Sequence, residues 1–231
     1  MKVFFLPFAG GSKYSYNGFF SEAPNDIDVV RVELPGRGSR LSEPLLENID
    51  DLVDDVLKQI GPHLREPYAI FGHSMGALLA FLITKKIINN GAAEPKHLFV
   101  SGCKAPSVIR GSEIRSSLPR EVFISRLKEY GGSPDSVLNN EELMIFFEPI
   151  LRADFKVVES FKYKLSEPMN IPIDVFIGEA ENISYEDAYS WSKETHEEVC
   201  VTTYPGRHFF IFGNESDMIK KMVEKLQIFS K

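Results

Sequence analysis

The chain has few of the features that mark an extracellular, metal-binding or membrane protein. Its two cysteines, Cys103 and Cys200, are too few for a disulfide framework and do not have the spacing of a metal site. No apolar run approaches the roughly 20 residues that span a bilayer. Pro7 interrupts the apolar N-terminal residues too early for a signal peptide. We therefore expect a cytoplasmic protein with no bound metal and no membrane association.

An excess of basic residues is also missing. The chain has 33 acidic and 26 basic residues, which gives a formal net charge of −7. A field of this sign argues against binding to nucleic acid or to anionic membranes. An acidic partner would need a local basic patch, for which Arg37 and Arg40 are candidates, although arginines in such positions are more often structural or solvated.

The patterns that are present predict an α/β protein. Its 231 residues are enough for one well-buried domain, taken here as residues 1–231. Apolar segments alternate with helical patterns, which predicts a mostly parallel sheet with helices on both faces. Strands are predicted at 3–6, 29–32, 68–71, 97–101, 173–177 and 199–204, and helices at 49–60 and after Ser216, the expected N-cap of the last one.

The alternation stops between Ala105 and about Ser166. This stretch is helical in pattern, rich in Phe and Leu, and interrupted by Gly131-Gly132-Ser133-Pro134. A long insertion late in an α/β sheet predicts a lid over an active site, at about residues 106–166. Each aromatic residue taken singly fits the core of a helical subdomain equally well, and the two interpretations are compatible.

The segment Gly72-His73-Ser74-Met75-Gly76 joins a predicted strand to a helix-forming run. In this G-x-S-x-G pattern a sharp, strained turn presents the serine as a nucleophile. A side chain at either glycine would collide with the turn or with the neighbouring strand. Ser74 is therefore the predicted nucleophile, and the alternative is a plain strand-to-helix turn with an incidental serine.

A serine nucleophile needs a histidine as its base, and the chain contains five. His208 follows the last predicted strand through a short turn, 205–207. It completes the order nucleophile, acid, histidine that is typical of the α/β-hydrolase fold. The other four are better explained as structural or solvated: His63, His73, His97 and His196.

The third catalytic residue should be a carboxylate just beyond the strand at 173–177, where it would orient the imidazole. Glu181 is the first choice, and Glu179 and Asp187 are the alternatives. The oxyanion of the intermediate needs backbone N–H donors. We expect these from Met75, directly after the nucleophile, and from Phe8 in the loop after the first strand, with Ala9 as the alternative.

These segments together resemble the type II thioesterases, the stand-alone proofreading enzymes of nonribosomal peptide and polyketide synthesis. The resemblance covers residues 3 to about 228. It rests chiefly on four segments: Leu6-Pro7-Phe8-Ala9-Gly10-Gly11-Ser12, Leu34-Pro35-Gly36-Arg37-Gly38-Ser39-Arg40, Phe71-Gly72-His73-Ser74-Met75-Gly76 and Leu151-Arg152-Ala153-Asp154-Phe155.

The resemblance implies the same roles for Ser74 and His208. The family normally has an aspartate where this chain has Glu181, and a glycine where it has Arg207. It also implies hydrolysis of acyl groups from the phosphopantetheine arm of carrier proteins, with no cofactor, by a protein that we expect to be a monomer. The alternatives are a general carboxylesterase or acyltransferase of the same fold and a non-catalytic binding protein.

Overall fold

The computed structural model describes residues 1–108, 114–131 and 135–227. Its strands are β1 (Lys2–Leu6), β2 (Asp28–Arg31), β3 (Tyr68–His73), β4 (Leu98–Ser101), β5 (Ile173–Gly178) and β6 (Val199–Tyr204). They form one six-stranded parallel sheet in the order β2-β1-β3-β4-β5-β6. The predicted parallel sheet is confirmed, and each predicted strand lies within two residues of the observed one.

The order of the strands fixes where a ligand should bind. From β1 the chain moves outward to β2 and then returns to β3 on the other side of β1. The carboxyl ends of β1 and β3 therefore flank a topological switch point, where parallel sheets open a crevice. The loops after these two strands contain Phe8 and Ser74.

The helices are α1 (Asn17–Glu22), α2 (Ile49–Ile60), α3 (Met75–Asn89), α4 (Arg120–Tyr130), α5 (Asp135–Leu138), α6 (Glu141–Ser160), α7 (Tyr185–Tyr189) and α8 (Glu215–Gln227). The predicted helix at 49–60 is confirmed as α2. The predicted N-cap of the last helix is wrong, because Ser216 is the second residue of α8. Helical hydrogen bonding already begins at Asn214, whose carbonyl accepts the N–H of Met218 at 3.0 Å.

Helices cover both faces of the sheet. They have to, because alternate side chains of each strand point to opposite faces and are apolar on both. In β1, Phe4 and Leu6 pack on one face against α2 and α3, whereas Val3 and Phe5 pack on the other against α1 and α8. The central strands of the sheet are thus buried on both faces. This burial holds in place the loops at the carboxyl edge of the sheet. None of the helices in the described residues is long and apolar enough to cross a bilayer.

The predicted insertion corresponds to α4, α5 and α6, between β4 and β5. These helices have a small hydrophobic core of their own, formed by Phe123, Leu127, Leu138, Met144 and Leu151. The last turns of α6 join the main core instead, where Val157 is fully buried. Two ranges of the predicted lid lie outside the described residues, 109–113 and 132–134. The second range belongs to the predicted breaker.

Candidate active site

Ser74 stands in a strained turn between β3 and α3. Its φ of 55° and ψ of −116° are unusual for a residue with a side chain, and among the described residues no other non-glycine has a positive φ. A Cβ at Gly72 would lie 2.0 Å from the carbonyl oxygen of Gly76, and one at Gly76 would lie 2.3 Å from that of Leu6. The two glycines allow the close approach that holds the serine in this conformation.

His208 and Glu181 meet at the carboxyl edge of the sheet. Nδ1 of His208 shares a hydrogen bond with Oε1 of Glu181, whose side chain is only 5% exposed. The loops that carry them are joined by backbone hydrogen bonds, from Glu179 N–H to Tyr204 O and from Ala180 N–H to Gly206 O, both at 2.9 Å.

The alternative acids are placed elsewhere. Glu179 precedes Glu181 by only two positions in the sequence, but its side chain is exposed. Asp187 pairs with Lys104 at 2.7 Å and bonds to Ser184 at the start of α7. The hydrogen bond from Lys104, with a smaller contribution from Ser184, lowers the pKa of the Asp187 carboxyl. Of the three candidates, the structure brings Glu181 to His208 and leaves the other two away from it.

Ser74 and His208 line one cavity of about 420 Å³ between the sheet edge and the insertion. Tyr130, at the end of α4, places its ring 5.6 Å from that of His208, centroid to centroid. The apolar lining comes from both parts of the chain: Phe8, Met75, Leu78, Leu127, Leu138, Met144, Phe147, Leu151, Phe155, Val158, Phe209 and Phe212. A concave, mostly apolar cavity with a few polar groups is suited to a ligand with an acyl chain.

Both predicted oxyanion donors lie near Ser74, the predicted nucleophile, at the switch point. Phe8 follows β1, and Met75 is the first residue of α3. Within the described part of the chain, the backbone N–H of neither residue has a hydrogen-bond acceptor. Ala9 lines the same cavity. The choice between Phe8 and Ala9 therefore stays a prediction.

Comparison with known proteins agrees with this geometry. Residues 1–226 match the family model described as Thioesterase domain. The chain belongs to the thioesterase family. It is 38% identical to the gramicidin S biosynthesis protein GrsT of Aneurinibacillus migulanus, covering 99% of this thioesterase and 90% of GrsT.

Two solved structures are similar over nearly the whole thioesterase. ClbQ from the colibactin NRPS/PKS pathway is 30% identical with a TM-score of 0.93, over 99% of this chain and 98% of ClbQ. BorB, the type II thioesterase of the borrelidin biosynthetic cluster, is 29% identical with a TM-score of 0.89, over 97% and 92% of the two chains. The resemblance to type II thioesterases and the α/β-hydrolase fold are thereby confirmed.

His73 has a place in the thioesterase site that its position in the sequence did not indicate. Its buried ring lies 4.8 Å from that of His208, and its Nδ1 is 2.9 Å from the hydroxyl of Ser101. Burial first, and then the proximity of His208, lower the pKa of His73 well below its usual value. The imidazole of His73 is therefore neutral near pH 7.

Arg37 is buried, in agreement with the structural alternative, and is not available to an acidic partner at the surface of the thioesterase. Its guanidinium is bidentate to Asp154 of α6, at 2.6 and 2.7 Å. Arg40 also has carboxylate partners, Asp55 at 2.6 and 2.7 Å and Glu43 at 2.8 Å, but its side chain is 19% exposed. Partners more than 100 residues apart, like Arg37 and Asp154, leave no local signal in a sequence.

The remaining histidines are away from the cavity. His97 bonds through Nε2 to Asp174 at 2.6 Å, in a pair near the amino ends of β4 and β5. His63 and His196 are exposed. The residues that the structure describes contain no group of three His, Cys, Asp or Glu side chains arranged to hold a metal ion.

Proposed function

We propose that this thioesterase hydrolyses acyl groups from the phosphopantetheine arm of carrier proteins in nonribosomal peptide or polyketide synthesis. Its task there is to remove misprimed or stalled acyl units. The observation that carries the proposal is the cavity in which Ser74, in its strained turn, and His208, bonded to Glu181, face an apolar lining. The similarity to type II thioesterases supports the same substrate class.

In this mechanism Ser74 Oγ attacks the thioester carbonyl while His208 accepts its proton. With Nδ1–H donated to Glu181, Nε2 of His208 is left to act as the base, and the carboxylate stabilises the imidazolium that forms. The N–H groups of Met75 and Phe8 stabilise the oxyanion. His208 then protonates the leaving pantetheine thiolate, and its neutral form activates the water that hydrolyses the acyl-enzyme.

The insertion at about 106–166 acts as a lid in this proposal. Helices α4 and α6 supply much of the apolar lining, and Tyr130 lies against His208. A lid of this kind excludes water while the acyl chain is bound and opens for the carrier arm. All the proposed groups come from one chain, so we propose that the thioesterase acts as a monomer. We also propose that it acts in the cytoplasm and needs no cofactor of its own.

The test is release of acetate from a carrier protein loaded with acetyl-phosphopantetheine. The wild type should release it, and Ser74→Ala should reduce release to the background rate. Ser21→Ala changes an exposed serine and should match the wild type. Equal release by the wild type and Ser74→Ala would show the proposal to be wrong. Labelling of Ser74 by a fluorophosphonate probe would argue against a non-catalytic binding protein.

A general carboxylesterase remains the second candidate, because the buried Arg37 is paired with Asp154 and is not available to an acidic carrier. The two are separated by kcat/KM for the acetylated carrier and for a small acetate ester. A higher value for the small ester would favour the esterase.

A further inference from the structure

The loop after β1 is a tight turn that sets the position of the Phe8 N–H. The carbonyl of Phe8 accepts the N–H of Gly11 at 2.8 Å, and Gly10 has a φ of 77° at the third position, as in a type II turn. The ring of Phe8 packs against those of Phe209 and Phe212, with centroids 5.0 and 6.0 Å away. A shift of this turn would move the N–H relative to Ser74.

The buried pair Arg37–Asp154 is hydrogen-bonded to this turn at Gly10 and Gly11. Oδ2 of Asp154 accepts the N–H of Gly10 at 2.7 Å, and Nη1 of Arg37 donates to the carbonyl of Gly11 at 3.3 Å. The two side chains are 5% and 1% exposed. Charge-assisted, bidentate bonds of this kind are short and directional, so they fix the backbone groups that they reach.

The pair also joins the turn to the insertion. Asp154 lies on α6, one turn beyond Leu151, which lines the cavity. A Cβ at Gly10 would come within 2.5 Å of Leu151 Cδ2, so the helix and the turn are in close contact at this point. Displacing α6 would therefore pull on the N–H of Gly10 as well as on the cavity wall.

We propose that Arg37 and Asp154 are positioning residues for the reaction, which hold the Phe8–Gly11 turn so that the Phe8 N–H faces the developing oxyanion. The proposal rests on the proposed function. It differs from a purely structural role in what it predicts for the folded enzyme. A structural pair contributes to stability alone, whereas a positioning pair raises kcat without raising substrate affinity.

The test compares Asp154→Asn with Asp55→Asn. The control removes one charge from another bidentate pair, Arg40–Asp55, which has the same 2.6 and 2.7 Å bonds but does not touch the turn. Hydrolysis of p-nitrophenyl acetate is measured per folded molecule, together with amide exchange of residues 6–12. For Asp154→Asn we expect kcat to fall about 10- to 100-fold, KM to stay within about twofold, and exchange in 6–12 to accelerate.

The control should keep kcat within about twofold, and the pH midpoint of kcat should be the same in both variants, because the His208–Glu181 bond is untouched. An unchanged kcat or unchanged exchange in Asp154→Asn would overturn the positioning role alone.

If Asp154→Asn does not fold, Arg37→Lys is the deciding variant, since it keeps the positive charge but loses the bidentate bond. Its kcat should fall too, and a wild-type kcat would overturn the proposal. Equal turnover by the wild type and Ser74→Ala would overturn the proposed function, and this role with it.

Discussion

Nδ1 of His208 shares a hydrogen bond with Oε1 of Glu181, and the second carboxylate oxygen of that glutamate accepts the N–H of Gly178 at 3.2 Å. The backbone N–H of Glu181 also returns to the carbonyl of Gly178, at 3.1 Å. The carboxylate is thus fixed by its own loop on one side and points to the imidazole on the other. A glutamate in this position has the geometry to orient the histidine in the way an aspartate does elsewhere.

We expect Glu181→Gln to lower kcat by roughly 10³- to 10⁴-fold, because the amide no longer fixes the tautomer or stabilises the imidazolium. The measurement is turnover of the acetylated carrier at saturation. Glu179→Gln and Asp187→Asn are the matched controls and should keep kcat within about twofold, since neither carboxylate is bonded to His208. A comparable loss in either control would assign the acid to that residue instead.

Ser74→Gly should raise the free energy of unfolding by about 1 kcal/mol while abolishing turnover. A residue with a side chain is strained at the φ of 55° that Ser74 adopts, and glycine is not. Ser74→Ala, which keeps Cβ, should lose turnover without this gain. Urea unfolding of the two variants measures the difference, and equal stability would show that the turn stores no strain.

Gly72→Ala should destabilise the protein by about 3 kcal/mol or more, because the new Cβ would lie 2.0 Å from a backbone oxygen of Gly76 that cannot move aside. Ser21→Ala is the control. It changes an exposed serine in α1, so it should alter the stability by less than about 0.5 kcal/mol. Thermal or urea unfolding compares them. Similar stabilities would contradict the packing seen at the turn.

The free energy of unfolding should fall as the pH falls below about 6.5, in part because of His73. The unfolded chain protonates this histidine near its usual pKa of 6.5, whereas the buried ring has a pKa well below that and stays neutral. Its contribution is complete above pH 6.5 and is lost toward lower pH, with a slope of up to about 1.4 kcal/mol per unit. Unfolding of His73→Asn from pH 8 to pH 5 should show a smaller slope, and an equal slope would contradict the prediction.

Iodoacetamide should leave the native enzyme active, although Cys103 lines the cavity. Burial, with a smaller effect from the charge of Glu181, raises the pKa of the Cys103 thiol to about 12, so the reactive thiolate is scarce at pH 8. Residual activity after prolonged treatment is the measurement. Rapid inactivation that Cys103→Ala prevents would show that the thiol is more reactive than its surroundings allow.

The strands and the order of the candidate residues could be predicted because their causes are local. A short apolar run bounded by turn residues favours a buried strand, and the glycines around Ser74 mark a turn within five residues. The N-cap of α8 was misplaced because several polar residues precede that helix and only the hydrogen bond of Asn214 shows where it begins. The structural role of Arg37 could not be decided from the sequence, because its partner, Asp154, is 117 residues away.

The amino-acid sequence alone predicts the parallel sheet, the turn at Ser74 and the position of His208 beyond the last strand, since each depends on a short pattern of apolar residues and glycines. Which of the three candidate carboxylates lies at His208 is evident only in the folded structure, where Glu181 is bonded to the imidazole, Glu179 is exposed and Asp187 pairs with Lys104. The folded structure also places Arg37 inward, against Asp154. A buried charge is stable only where a distant segment provides its partner. Segments that are far apart in the sequence come together only when the chain folds.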